Sequence, residues 1–372
     1  MAGYSMKIGV LTSSRAEYGI YYPLLQRLKN DPFFELEIIA FGTHLSVEHG
    51  YTINQILADG FEVPHKLETV PKGDTSFDIS SSMGLTIERF AAFWSKHSFD
   101  VVFALGDRYE MFAAVSAAFP FNIKIAHISG GETTLGAIDN AYRHAISLMS
   151  TYHFASTDVY KNRVIEIIGS DENVYNVGAL NIENFIQQKY LSIDAFKERF
   201  NIDLSLPSIL ITFHPETIAL DKNVVYVEEL IKALEQCNAY QLIITMPNAD
   251  TMGNVIRAKL NEFIAVHKNA IGVESFGMLG YISCMKYCAF MLGNTSSGFV
   301  EASFFPKYVI NLGDRQKGRL LTPNIITVPI EKEAILAAVK KIQSAPQLSN
   351  IFEYGKGDAS EQICQILKSK NI

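Results

Sequence analysis

The sequence predicts an α/β protein built from two doubly wound parallel-sheet domains facing a central cleft. Three observations carry that reading. Short apolar runs rich in β-branched residues alternate with longer stretches of helical periodicity, the signature of parallel strands covered by helices on both faces. The alternation runs to Val177 and restarts after Pro207. A chain of 372 residues, at roughly 150 residues per domain, also suggests two such units.

The first-half strands are expected at Lys7–Leu11, Leu36–Phe41, Val101–Leu105, Ile123–Ile128 and Val174–Val177, with helices over stretches such as Tyr18–Lys29 and Thr86–Lys96. The second-half strands are expected at Ser208–Phe213, Tyr240–Met246, Ala270–Glu274, Tyr287–Leu292, Tyr308–Leu312 and Ile325–Ile330. The division is an N-terminal domain over 1–180, a linker over 181–206 and a C-terminal domain over 207–350. A last helix, Ser360–Ser369, follows the turn "EYGKGD", and residues 351–372 are expected to pack back on the N-terminal domain.

Composition excludes several function classes. The net charge is −7 and no Lys/Arg run is dense enough for a nucleic-acid patch. No apolar run approaches the ~18 residues of a membrane span, and the N-terminus lacks a signal-peptide pattern, so a cytoplasmic protein without membrane partners is expected. Cys237, Cys284, Cys288 and Cys364 form no C-x-x-C pair and read as buried small hydrophobes rather than metal ligands.

In two facing doubly wound domains the ligand sits beyond the C-terminal strand ends, so each turn after a strand is a candidate site segment. The first, "TSSRAEYG" (Thr12–Gly19), is neither a dinucleotide fingerprint nor a Walker loop. Arg15 lies at a helix start, where a cation opposes the macrodipole; a bound anion removes the conflict. The second strand ends in "FGTHLS", with His44 at the edge. The run "VVFALGDRYE" ends in Gly106-Asp107; Asp107 is either an N-cap or, with Arg108 beside it, part of an acid–base pair.

"HISGGETTLGAIDNAYRHA" (His127–Ala145) looks at first like a phosphate cradle, yet Glu132 and Asp139 straddle its excursion "TTLGAI". Each carboxylate alone could cap a helix. With Asp107 they make three acids on adjacent turns, and clustered acids split their protonation states as acid–base chemistry needs. Arg143 and His144 follow on the next helix.

In the second half, "TFHPET" holds His214 on a short rigid turn. "LGNTSSGFVEAS" reads as strand, hydroxyl-rich turn and helix, where backbone amides with Thr295, Ser296 and Ser297 suit a diphosphate. Glu301 is expected one turn into that helix, where it either reaches ribose hydroxyls or merely favours the helix N-terminus. "NLGDRQKGR" places Arg315, Lys317 and Arg319 after another strand.

Together, in this order and over nearly the whole chain, these segments resemble the UDP-N-acetylglucosamine 2-epimerase family, above all its hydrolysing branch serving sialic-acid-like sugar synthesis. The resemblance implies a GT-B-like pair of Rossmann-like domains and a homodimer or homotetramer. It also implies that Arg15, His214, Thr295, Ser296, Ser297 and Arg315 hold or act near the UDP-sugar diphosphate. Glu301 would bind ribose, His44 and Arg143 would line the site, and Asp107, Glu132 and Asp139 would move protons. One departure stands out. Non-hydrolysing members carry a Glu two residues after the His of this strand; here that place is Ser129, which leaves the division of labour between Glu132 and Asp139 open.

The implied chemistry uses neither nicotinamide nor metal, because no net redox change occurs and a carboxylate can take the C2 proton once UDP has left C1. The alternatives are a non-hydrolysing epimerase that re-adds UDP, a GT-B glycosyltransferase, and a non-catalytic nucleotide-sugar sensor.

Overall fold

The computed structural model describes residues 5–70, 73, 75–135, 137–187, 190–216, 220–247, 252–349 and 351–370. Gly136 of the excursion and Thr217 of the His-Pro turn lie outside them. The chain divides into two units: Met1–Glu132 with Asp139–Ile186 and Tyr354–Ile372, and Thr133–Ile138 with Gln187–Glu353.

The first unit runs β1 (Met6–Thr12), α1 (Arg15–Asn30), β2 (Phe34–Phe41), α2 (Ile53–Ala58), β3 (His65–Leu67), α3 (Ser76–Trp94), β4 (Val101–Leu105) and α4 (Tyr109–Ala118). It continues through β5 (Ile125–Ile128), α5 (Asp139–Leu148), β6 (Tyr152–Ala155), α6 (Asp158–Ile168), β7 (Val174–Asn176) and α7 (Ile182–Gln187). Its sheet is parallel throughout, in the order β3-β2-β1-β4-β5-β6-β7. Apolar side chains cover both faces. Ile8, Val10, Val101 and Phe103 pack under α1 on one side, and Leu11, Val102 and Ala104 pack under α3 and α4 on the other.

The second unit holds α8 (Ile193–Phe200), β8 (Ser208–Thr212), α9 (Asn223–Leu234), β9 (Gln241–Thr245), α10 (Gly253–Val266), β10 (Ala270–Val273) and α11 (Gly277–Tyr287). β11 (Phe290–Gly293), α12 (Glu301–Phe304), β12 (Val309–Leu312), β13 (Ile325–Val328) and α13 (Lys332–Gln343) complete it. The strand order is β10-β9-β8-β11-β12-β13, again parallel. The last helix, α14 (Ala359–Ser369), packs on α1 in the first unit, where Ser360 is bonded by both Glu183 oxygens at 2.6 Å.

Some element boundaries differ from the sequence reading. The helix expected from Thr86 begins at Ser76, because Thr75 and Asp78 form a capping box there. The strand expected from Tyr287 begins at Phe290, since α11 runs through Tyr287 with Ile282, Cys284 and Met285 buried. Two strands went unread, β3 "HKL" and β6 "YHFA", whose His and Lys residues interrupt the apolar signal. The four cysteines are buried and unbridged. Among the described residues no helix is long and apolar enough to cross a membrane.

Both sheets reverse direction of growth at one point. In the first the reversal falls between β1 and β4, in the second between β8 and β11. Strand ends at such switch points leave a crevice for ligands. Gly106-Asp107 and Ser13–Arg15 flank the first switch point, and His214 and Asn294–Ser297 flank the second.

Candidate active site

In the first unit, Arg143 gathers the acids. It projects from α5, is nearly fully buried, and forms ion pairs with Asp107 and, at 3.1 Å, with Glu132. Its Nη1 also donates to the Ser129 carbonyl at 2.9 Å. A guanidinium meets several acceptors in fixed directions, so this one residue orients the ends of β4 and β5 together. Ser156, just past β6, donates to Glu132 Oε1 at 3.2 Å. Asp139 is the first residue of α5 and is half-buried.

The N-cap position of α4 falls on Arg108 rather than Asp107, and the Arg108 side chain makes no capping hydrogen bond. Arg108 instead forks onto the fully buried Glu110 at 2.9 and 3.2 Å. The turn before Asp107 is held by His127, whose Nε2 lies 2.8 Å from the Gly106 carbonyl and Nδ1 3.0 Å from Ser147 Oγ. A carbonyl only accepts, so Nε2 carries the proton and Ser147 donates to Nδ1. Burial pushes the His127 pKa down to about 3, which keeps the ring neutral.

The second glycine of this turn is required by packing inside the unit. Gly131 has φ +78°, and a Cβ there would lie 2.2 Å from the Tyr160 carbonyl oxygen. The space is filled by α6 of the same unit. Ser129 adopts φ +63°, an unusual conformation for a residue with a Cβ, and its carbonyl is the one that Arg143 binds.

Arg15 is the first residue of α1 and is exposed. His44 is fully buried, with Nε2 2.9 Å from Thr12 Oγ1 and Nδ1 2.8 Å from Thr52 Oγ1. Burial lowers its pKa to about 4, so it is neutral, and both nitrogens are engaged inside the unit.

In the second unit, His214 follows β8 and is clamped by Asn294 from the end of β11. Asn294 Oδ1 accepts the His214 N–H at 2.7 Å, and Nδ2 donates to its carbonyl at 2.8 Å. The Asn294 carbonyl in turn accepts from Gln316 Nε2 at 2.8 Å and Arg315 Nη1 at 3.4 Å. Arg315 Nε donates to the Pro215 carbonyl at 3.3 Å, and the Asp314 N–H donates to Glu216 at 2.9 Å. The loop after β12 is thereby tied to the His-Pro turn.

Ser296–Gly298 forms a single 3-10 turn, with Thr295 accepting from the Ser297 N–H and Ser297 Oγ 2.6 Å from the Tyr281 hydroxyl. Ser296 is exposed. Glu301 does not lie one turn into a helix: it opens the four-residue α12, because the preceding turn takes up the chain. The segment Thr133–Ile138 groups with this unit, where the Leu135 N–H donates to the Lys317 carbonyl at 2.9 Å.

Sequence reasoning overlooked Asn294, Glu17, Glu110, His127 and Gln316. The available signal was position, since each lies in or next to a strand-end segment already singled out. Among the described residues no cluster of His, Cys, Asp and Glu is arranged to hold a metal ion.

The family model for UDP-N-acetylglucosamine 2-epimerase matches residues 26–368. The chain belongs to the UDP-N-acetylglucosamine 2-epimerase family. Within that family it is 33% identical over 363 residues to the UDP-N,N'-diacetylbacillosamine 2-epimerase (hydrolyzing) of Legionella pneumophila, covering 98% of this chain and 96% of that one. It is 36% identical over 323 residues to the GDP/UDP-N,N'-diacetylbacillosamine 2-epimerase (hydrolyzing) of Campylobacter jejuni, covering 86% and 83%. The fold is also that of the UDP-GlcNAc 2-epimerase from Neisseria meningitidis, a structure bound to UDP-GlcNAc. The TM-score is 0.83 and the identity 19%, over 98% of this chain and 100% of that one. The family architecture, two parallel sheets with interleaved helices, is therefore present in full.

Proposed function

We propose that this epimerase-family chain is a hydrolysing UDP-sugar 2-epimerase, acting on UDP-N-acetylglucosamine or its 2,4-diacetamido-trideoxy equivalent. The observation that carries the reading is the grouping of Asp107 and Glu132 on Arg143 at the switch-point end of the first sheet. The relatives named as hydrolysing enzymes favour release of free sugar over return of the nucleotide sugar.

The C2 hydrogen of an N-acetylhexosamine is not acidic enough for a carboxylate to remove directly. Departure of UDP breaks the C1–O bond, and the electron pair leaves with the diphosphate. Arg15 and Arg315, with the amides and hydroxyls of Thr295–Ser297, would stabilise that charge. The oxocarbenium-like C1 acidifies C2–H, and a carboxylate of the Asp107, Glu132 and Asp139 set takes the proton to leave a 2-acetamidoglucal. Water then adds its oxygen to C1 and gives its proton to an ionised carboxylate of the set, while a second, protonated acid of the set delivers a proton to C2 on the opposite face. The products are UDP and a free N-acetylmannosamine-type sugar. His214 serves the diphosphate side and Glu301 the ribose, while His44, engaged on both nitrogens, supports the site from behind. The reading includes work in the cytoplasm, as a homo-oligomer, in the synthesis of sialic-acid-like sugars.

The test is NMR of the purified protein in heavy water with each UDP-sugar in turn. Free UDP accumulating with an inverted sugar deuterated at C2 is expected. A UDP-sugar persisting at a fixed epimer ratio would establish the non-hydrolysing reaction instead. Absence of exchange at C2 would point to glycosyl transfer or to binding alone.

A further inference from the structure

Glu17 is a carboxylate that the chemistry above does not use. It lies in the first turn of α1 and is only 4% exposed. Its Oε2 accepts the Ser13 N–H at 2.6 Å and its Oε1 accepts the Ser13 hydroxyl at 3.0 Å. The Ser13 carbonyl accepts from Thr43 Oγ1 at 3.0 Å and from the His44 N–H at 3.3 Å. Glu17 therefore holds the turn after β1, and that turn holds the one after β2. The Arg108 guanidinium, forked onto Glu110 at the start of α4, is near enough to act on the Glu17 carboxylate electrostatically.

We propose that Glu17 is a positioning residue for the reaction, holding the turns that carry Arg15 and His44 in one arrangement through Ser13. The proposal rests on the epimerase reading for the roles of those two residues.

The chemistry of the surroundings makes the device responsive to pH. The charged or titratable groups facing Glu17 are Arg108 and Glu110 from the α4 end and Tyr21 from its own helix. His44, neutral, reaches it only through Ser13. Burial raises the Glu17 pKa to about 7, with Arg108 opposing the rise and Glu110 adding to it. In the ionised form both oxygens accept from Ser13, and the positive charge of Arg108 favours that form. Protonation removes that charge and forces one Ser13 contact to reverse its donor.

The test compares wild type with Glu17→Gln and Glu17→Asp, measuring UDP affinity by calorimetry and kcat and KM for UDP release. Gln keeps a donor and an acceptor for Ser13 but presents no charge to Arg108. UDP affinity is expected to fall about tenfold, mostly as a KM effect, since sub-ångström misplacement is enough for that. Wild-type kcat/KM should rise as pH passes about 7, the value at which Glu17 ionises, and Glu17→Gln should lack that limb. Glu17→Asp, which restores the charge, should recover part of it. Arg108→Gln, a second variant with Glu17 intact, should move the limb to higher pH. Wild-type affinity and an unchanged pH profile in folded Glu17→Gln would overturn the proposal, as would a lowered melting temperature with unaltered kinetics. If the wild type releases no UDP from either sugar, the epimerase reading falls, while the UDP affinities still decide about Glu17.

Discussion

Asn294 holds His214 by the main chain rather than by the imidazole, accepting its N–H at 2.7 Å and donating to its carbonyl at 2.8 Å. The two residues follow β8 and β11, the pair of strands where the second sheet changes direction. One buried amide thus closes the switch point and carries the contacts of Arg315 and Gln316 on its own carbonyl.

Replacing Asn294 by Ala leaves two buried backbone groups of His214 without these partners. The second unit should lose about 2–4 kcal/mol of stability, since each buried group left unsatisfied costs about 1–3 kcal/mol. Urea denaturation reads the loss directly. UDP affinity should fall in the same variant because Arg315 and Gln316 lose their anchor. A midpoint equal to that of the wild type would show that the clamp is dispensable.

Asp107→Asn keeps the size of the side chain and removes the charge. Arg143 retains Glu132 and the Ser129 carbonyl, so the fold should persist. Turnover should drop by roughly 10²–10⁴-fold, the usual contribution of a proton-transferring group. UDP release alongside circular dichroism separates the two effects. Wild-type turnover would remove Asp107 from the chemistry.

Gly131→Ala places a Cβ 2.2 Å from the Tyr160 carbonyl oxygen and 3.0 Å from Val164, at φ +78°. Left-handed strain and overlap together should cost about 2–4 kcal/mol in the first unit. Gly130→Ala, with an ordinary backbone and its nearest contact at 3.0 Å from the Ser147 hydroxyl, should cost less. Equal denaturation midpoints for the two variants would contradict the geometry.

Three buried histidines set an acid limit. His44, His127 and His153 have folded-state pKa values pushed to about 4, about 3 and about 4, each chiefly by burial. All three sit below the unfolded value, so the unfolded chain binds more protons as pH falls through the unfolded histidine value of about 6.5. Their contribution to stability is complete above that pH and is lost progressively below it, at up to about 1.4 kcal/mol per pH unit for each proton taken up. Glu17, raised to about 7, acts in the opposite direction between its unfolded value and 7 and offsets one of the three. The urea midpoint measured against pH should decline on acidification, and less steeply in His153→Gln. A flat profile would mean that the three rings are already charged in the folded protein.

Much of this protein was legible from the chain alone. Strand and helix periodicities are local properties, and they located nearly all strands, the doubly wound character, and the turns where Arg15, Asp107, Glu132, His214, Thr295 and Arg315 lie. The strands β3 and β6 were missed because their polar residues break the pattern, although β6 brings Ser156 to Glu132. Which polar group meets which was decided only by the tertiary structure. Strand order sets those meetings, and strand order depends on long-range pairing that no local pattern records. Arg143 reads in the sequence as one residue lining a site, yet in the fold it is the hub of two acids. Asn294 and Glu17 read as ordinary turn and helix residues, yet Asn294 joins the turns after β8 and β11 and Glu17 holds the turn after β1. Gly131 is crowded by the carbonyl of Tyr160, a neighbour that only the packing of α6 brings there. Sequence thus determined the elements and the strand-end turns; the packing of non-adjacent strands determined how those turns are held and which charges face one another.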